Sequence, residues 1–226
     1  MAPARITRAV QAVQILPAGG APQAARPNES IPAGAGVHTG AAGTAEVMFP
    51  DAVITRLAHN TVLRALPDSG SLELSEGAAL FQAPATAGGA SITTAGIHIA
   101  VAGTTGIVER YGALYVKVLV LEGTARVYLD RIGESILVRA GQMVITKPGA
   151  KSLAEPVHFE IAQLYKTSRL VNGDFPPLPS NGRIEAEIQK QQKDPDLIRT
   201  NLIILGRGTL VNLLPPTPTP SPPPKQ

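Results

Sequence analysis

The residues able to do chemistry are few in this 226-residue chain, and they are scattered. Its imidazoles are His38, His59, His98 and His158. A metal centre needs two or three such ligands converging at set distances. None of the four stands in HxH, HxxxH or HExxH spacing. With no cysteine, thiolate nucleophiles, thiolate metal sites and disulfides are excluded. Asp51, Arg56, His59 and Asn60 fall close together in a turn-rich stretch and form a candidate polar site. The competing reading makes Asp51 and Asn60 turn residues whose side chains bond the local backbone. No GxSxG elbow occurs to present a serine nucleophile. Gly103-Thr104-Thr105-Gly106 lacks the lysine and the helix that complete a phosphate loop, and reads as a tight bend between strands. Glu76 and Glu122 each precede a glycine in matching contexts, Leu74-Ser75-Glu76-Gly77 and Val120-Leu121-Glu122-Gly123. A repeated bend accounts for them better than a pair of glycosidase carboxylates facing across a cleft. No residue is therefore assigned to catalysis, to a cofactor or to a metal, and no enzymatic activity is expected.

Composition narrows the class of protein that must hold these residues. Hydrophobic residues make up 44% of the chain and aromatics only 4%, with no tryptophan, so a core has to be built from Val, Ile, Leu and Ala. The 22 glycines and 21 prolines suit many tight turns and an irregular tail. The net charge of +3 comes from scattered Lys and Arg, without the basic stripe or interleaved aromatics of a nucleic-acid binder. No run of about 18 apolar residues is present to span a membrane. The opening MAPARITRAVQAVQILPAGG carries Arg5 and Arg8 but no continuous apolar stretch, and does not read as an export signal. An envelope location therefore expects a leader upstream of Met1; a genuine start at Met1 expects a cytoplasmic protein.

The pattern along the chain is that of short strands. Val10–Leu16 reads as one strand ended by Pro17 to Gly20, followed by an exposed Ala/Pro/Gly loop and a short strand with glycine bends within 31–40. Ala45, Val47 and Phe49, then Val53, Thr55 and Leu57, alternate with their neighbours about a Pro50-Asp51-Ala52 turn. Val62 to Leu66 runs into a Pro67 to Gly70 turn. Ser71–Leu74 and Ala78–Ala83 read as two strands about the Glu76-Gly77 bend. The stretch from Ser91 to Val127 reads as three strands and as the organising core, with Val118, Val120 and Leu121 buried. Ser135–Ala140 and Met143–Lys147 complete the series. From Val157 the period becomes helical through Ile161 and Leu164 to a stop at Asn172-Gly173. Phe175 to Pro179 is extended, a second helix runs from Asn181 to about Gln191, and 201–205 and 209–214 are short apolar segments. The final PPTPTPSPPPKQ is a polyproline tail expected to be disordered. The expected fold class is all-β, an irregular twisted solenoid- or sandwich-like stack of short strands with a small C-terminal helical extension. Its parts are an N-terminal strand and loop (1–36), a β domain (37–150), the helical extension (157–193), the apolar segments (194–214) and the tail (215–226).

The ordered set Thr39-Gly40, AEVMFPDAVITRLAHNTVLRAL, LELSEGAALFQAP, SITTAGIHIAVAGTTG, VLVLEGTARV and ILVRAGQMV resembles the FecR domain family over roughly Val37 to Lys147. These domains form the extracytoplasmic part of bacterial iron-transport regulators and also occur as freestanding envelope proteins. The resemblance implies a stack of short strands that binds another protein rather than catalysing a reaction. Two features depart from it. The usual Gly-Thr-x-Phe after the VxG element is here Gly103-Thr104-Thr105-Gly106, and the anti-sigma segment and membrane helix of the sensor-type regulators do not precede the domain in this sequence.

The function expected on these grounds is a non-catalytic protein-binding module of the periplasm or cell envelope, for sensing, regulation or adaptation, with an envelope protein as partner. Nucleic acid and a membrane span are not expected. The alternative is a carbohydrate- or small-ligand-binding β-barrel, cupin-like without the metal motif and centred on Asp51 to Asn60. Replacing Val120 with aspartate places an unpaired charge among aliphatic side chains and is expected to cost several kcal/mol, on the order of 3–5. An unchanged urea midpoint for Val120→Asp would show that this strand is not core.

Overall fold

β-branched runs cut every few residues by Gly, Asn or Pro leave the chain little choice but short extended segments. The computed structural model describes residues 4–66, 71–129 and 133–194, together with the strands Leu202–Leu205 and Leu210–Leu213. The Pro67 to Gly70 turn and the polyproline tail lie outside the described residues.

In chain order the strands are β1 (Ala4–Val10), β2 (Val13–Leu16), β3 (Gln23–Ala24), β4 (Ser30–Ile31), β5 (Gly36–Thr39), β6 (Thr44–Met48), β7 (Ile54–Leu57), β8 (Thr61–Ala65) and β9 (Leu72–Ala83). They continue with β10 (Ala90–Thr94), β11 (Ile97–Val101), β12 (Thr104–Tyr111), β13 (Tyr115–Glu122), β14 (Thr124–Leu129), β15 (Ser135–Arg139), β16 (Gln142–Thr146) and β17 (Val157–His158). Three helices follow, α1 (Ile161–Thr167), α2 (Arg169–Asn172) and α3 (Asn181–Gln192), and then the hairpin β18 (Leu202–Leu205) and β19 (Leu210–Leu213). The all-β reading with a small helical extension holds. The helix expected from Val157 is corrected: Val157–His158 pairs with β16 as β17, and the helical run starts at Ile161 and breaks at Ser168 into α1 and α2. The second helix lies where the sequence signals put it.

The strands form two layers. Sheet one runs β4-β1-β6-β7-β9-β12-β13-β16-β17, and sheet two runs β3-β2-β5-β8-β9-β10-β11-β14-β15. Pairing is antiparallel except between β9 and β10. Neither sheet closes on itself, so the barrel alternative is corrected to an open two-layer stack. The space a barrel would offer a ligand is filled by Ile6, Val47, Leu74, Phe81, Ile92, Ile99, Val118, Val120 and Val127 packed between the layers.

The strand shared by both layers is β9. Leu72 to Glu76 pairs with β8 in sheet two, and Gly77 to Ala83 pairs with β12 in sheet one. The two strands expected about Glu76-Gly77 are thus one bent strand of 12 residues. This strand takes the organising role expected of Ser91 to Val127, which itself spans four strands and enters a fifth rather than forming three. The strand expected over Val10–Leu16 is instead broken at Gln11, whose φ of 57° turns the chain between β1 and β2.

Other strands cross between layers in two groups: β5 into β6 and β7 into β8 at the Gly77 end of β9, and β11 into β12, β13 into β14 and β15 into β16 at its opposite, Ala83 end. Glycines with positive φ stand at several of these corners, among them Gly77 (90°), Gly103 (59°), Gly123 (81°) and Gly141 (75°). Threonines bridge successive corners. The Thr39 hydroxyl donates to Ala58 O at 2.5 Å and accepts the Thr61 N–H at 2.9 Å. Thr61 does the same with Ala78, and Thr104 with Thr124. A hydroxyl can replace the ladder bonds that the bend interrupts because it both donates and accepts.

A Cβ on Gly123 would run into the Gly103 carbonyl and stand 2.9 Å from Thr104 Cα, both rigid backbone. Gly96, also at positive φ (77°), meets nothing within 4 Å. Gly96→Ala is expected to cost only the left-handed strain, about 1 kcal/mol, whereas Gly123→Ala adds a backbone clash and is expected to cost about 2–5 kcal/mol. Urea midpoints of the two variants check the ordering; equal losses would mean that corner packing contributes nothing.

Candidate functional site

Strand alternation gives sheet one two buried faces. Val108, Val118 and Val120 point between the layers, while Leu80, Ile107, Leu119, Leu121 and Met143 point outward. The helical extension covers that outer side with Phe159, Ile161, Leu164, Leu170, Val171, Leu178 and Ile184. Val118, Val120 and Leu121 are all buried as expected, but Leu121 faces the helices rather than the inter-sheet core. A register shift between Thr105 and Gly106 makes Leu121 the extra residue of a bulge and turns Glu122 to the helical side.

Polar side chains fasten this cover. Arg56, on β7, is buried and donates from Nε to Glu46 Oε2 at 2.8 Å. Its Nη1 donates to the Leu170 and Val171 carbonyls at 3.0 and 3.1 Å, its Nη2 to the Pro176 carbonyl, and its guanidinium lies 4.8 Å from the centre of the Phe175 ring. The first two carbonyls belong to the four-residue α2, where no helical partner is available to them. Glu46 is held in turn by the Thr7 hydroxyl at 2.8 Å. Burial lowers the Arg56 pKa, and the hydrogen bond and charge of Glu46 oppose that shift.

The second anchor is Glu122. It is 4% exposed and receives Arg183 in a bidentate pair at 3.1 Å, although that arginine is 54% exposed. The Thr105 hydroxyl donates to Glu122 Oε1 at 2.7 Å and lies 2.7 Å from the hydroxyl of Ser180, the residue that opens α3. The hydrogen bond to Glu122 raises the Arg183 pKa. Glu76, its sequence counterpart, instead accepts the Gly112 N–H at 3.2 Å. The shared Glu-Gly bend is real, while the two carboxylates do different work. A third buried pair, Lys117 with Glu109 at 2.7 Å, sits on the same face, and Tyr115 donates to Glu109 at 2.9 Å. Burial first and this bond second push the Tyr115 pKa up.

The candidate polar group around Asp51 does not assemble. Arg56 is committed to Glu46 and the extension. Asp51 stands in the β6–β7 turn, where its carboxylate is 3.4 Å from the Val53 N–H, and Asn60 takes the corner with φ of 51°. His59 lines a separate cleft with Gln11, Thr44, Arg169 and Asp174. The other imidazoles are dispersed: His38 lies 3.4 Å from Gln14, His98 stacks on Tyr128 with ring centres 5.0 Å apart, and His158 is 3.3 Å from Gln142. Among the described residues no group of three His, Asp or Glu side chains is placed to hold a metal ion.

Sheet two is different on its outer side. The helices pack on sheet one, and a row across sheet two, Arg64, Glu73, Thr93, His98, Tyr128 and Ser135, faces outward and is half-buried to exposed. Beside it, Arg126 and Leu137 line two adjoining clefts, one floored by Gly88 to Ser91 and Ala100 to Ala102, the other bounded by Arg139, Gln142 and Glu155. This outer side and its edge are what the helices leave uncovered among the described residues. The sequence showed the strands but not which sheet face stays open, because the covering helices are remote in sequence from the strands they meet.

The family model described as FecR protein matches residues 35–126. Among solved structures, the chain is similar to two crystal structures of a "putative anti-sigma factor" from Parabacteroides distasonis ATCC 8503, each at 19% identity. One has a TM-score of 0.51 over 77% of this chain and 84% of that one. The other has a TM-score of 0.47 over 54% of this chain and 59% of that one, so this chain spans less than two thirds of that protein. No curated protein matches the chain.

Arg56→Met leaves Glu46 buried without its cation and strands three carbonyls, and is expected to cost about 3–5 kcal/mol. Adding Glu46→Leu is expected to recover part of that loss, since only the carbonyls then stay unpaired. Denaturant midpoints of the two variants measure this; a loss below about 1 kcal/mol for Arg56→Met would mean that the arginine does not fasten the extension.

Proposed function

Because the family model described as FecR protein matches residues 35–126, we propose that this chain is a regulatory protein-binding module of the bacterial cell envelope that works without chemistry of its own. The observation that carries the reading is how the buried charges are used. Arg56 with Glu46, Lys117 with Glu109, and Glu122 with Arg183 each join elements of the fold to one another, and the first and last hold the helical extension down. The outer side of sheet two, free of that extension, is the recognition surface. A mixed row of Arg64, Glu73, Thr93, His98 and Tyr128 suits contact with another polar protein surface better than enclosure of a small ligand. The fold shared with a protein named as an anti-sigma factor supports a place in signal regulation. The location that fits is the periplasmic side of the envelope.

In-cell crosslinking followed by capture from separated envelope and cytoplasmic fractions tests the reading. Recovery from the envelope fraction with one dominant protein partner is expected. Recovery from the cytoplasm with no partner would remove the envelope role.

A further inference from the structure

The two sheets end, among the described residues, in four outermost strands. Three of them, β3, β4 and β17, are two residues long, but β15 has five residues and pairs with β14 alone. Short edges are how soluble sheets avoid pairing with other chains, and β15 lacks that protection.

The register shows which of its backbone groups are open. Leu129 N–H donates to Glu134 O and Ala140 N–H donates to Gly123 O, both at 3.1 Å. In an antiparallel ladder directly opposed residues alternate between exchanging bonds and pointing away from each other. Ile136 and Val138, opposite Val127 and Ala125, therefore spend their bonds on β14. The N–H and C=O groups of Ser135, Leu137 and Arg139 point out along the edge. One is met by a stand-in: Gln142 Oε1 accepts the Arg139 N–H at 3.0 Å, where the carbonyl of a neighbouring strand would sit. A groove follows this edge, walled by β15 on one side and by Glu155 and Pro156 on the other. Exposed Arg126 and Arg139 flank Leu137 on its outer face, and half-buried Ile136 and Leu153 close the end of the inter-sheet core.

Resting on the reading of this chain as a protein-binding module, we propose that β15 is the docking line for an extended segment of the partner protein, added antiparallel as the tenth strand of sheet two. The segment displaces the Gln142 amide from Arg139 N–H and bonds Ser135, Leu137 and Arg139. Its side chains are set by what they face: a carboxylate opposite Arg139, β-branched apolar residues opposite Val138, Leu137 and Ile136, and a small hydroxyl opposite Ser135. Glu155 on the far wall selects against further acidic residues.

The probe is a fluorophore-labelled peptide with the core Glu-Val-Val-Val-Thr, titrated into the full chain. Binding is expected, with amide exchange at Ser135 and Leu137 slowed at least about tenfold at saturation. Leu137→Pro is expected to abolish it, since the ring removes an edge N–H that β14 does not use. Arg139→Glu is expected to weaken it about fivefold or more, and a peptide with Lys in place of Glu is expected to recover that loss. The urea midpoint of each variant establishes that it is folded, and Arg139→Glu, on the surface, keeps the test decisive if Leu137→Pro is not. No binding, protection elsewhere, or binding indifferent to both variants would overturn the proposal. Crosslinking in cells separates the two levels: a partner captured equally by Leu137→Pro and the unaltered chain sinks the β15 line and leaves the module reading standing, whereas no partner with either sinks the module reading.

Discussion

Carrying a strand around a corner without losing its hydrogen bonds is the constraint on which the rest of this structure depends. Two layers made from the same strands need each crossing to bend level with the crossing beside it, so that pairing continues in both sheets. Glycines at positive φ bend the chain at Gly77, Gly103, Gly123 and Gly141, where a Cβ would be strained. Thr39, Thr61 and Thr104 restore the interrupted bonds from strand to strand. The β9 strand, which belongs to both layers, shows the arrangement in a single element.

The bend also decides where polar groups go. The bulge that accompanies the β13–β14 corner turns Glu122 out of the inter-sheet space and toward α3, where Arg183, Thr105 and Ser180 surround it. Arg56 serves the same end on the same outer face of the sheet by supplying donors to carbonyls that a four-residue helix cannot pair. Leaving either partner of such a buried pair alone costs more than the pair contributes, so these charges tie the extension to one position rather than add much net stability. The consequence is an asymmetry: one sheet is covered on both sides, and the other keeps, among the described residues, an uncovered outer surface and a long edge.

Much of the fold was legible in the chain. Alternating β-branched runs gave the strands, Glu-Gly and Ala-Gly the corners, and the change of period after Val157 the helices, because each of these depends on neighbours a few residues apart. Errors came where local signals meet a tertiary choice. A glycine bend looks the same whether it ends a strand, as at Gly96, or bends it onward, as at Gly77, so β9 read as two strands. The cluster from Asp51 to Asn60 looked like a site because its members are close in sequence, yet strand alternation and the β6–β7 turn send them in different directions.

By itself, then, the sequence determined an all-β chain with Gly-marked corners, an aliphatic core and a helical end, since pattern and propensity act over short range. Tertiary structure alone decided that the helices lie on sheet one and leave sheet two open, and that Arg56 is a clamp rather than a ligand group. Leu170 is 114 residues from the arginine that meets its carbonyl. No local pattern encodes a contact over that separation, because it forms only when the packed sheet presents both groups at once.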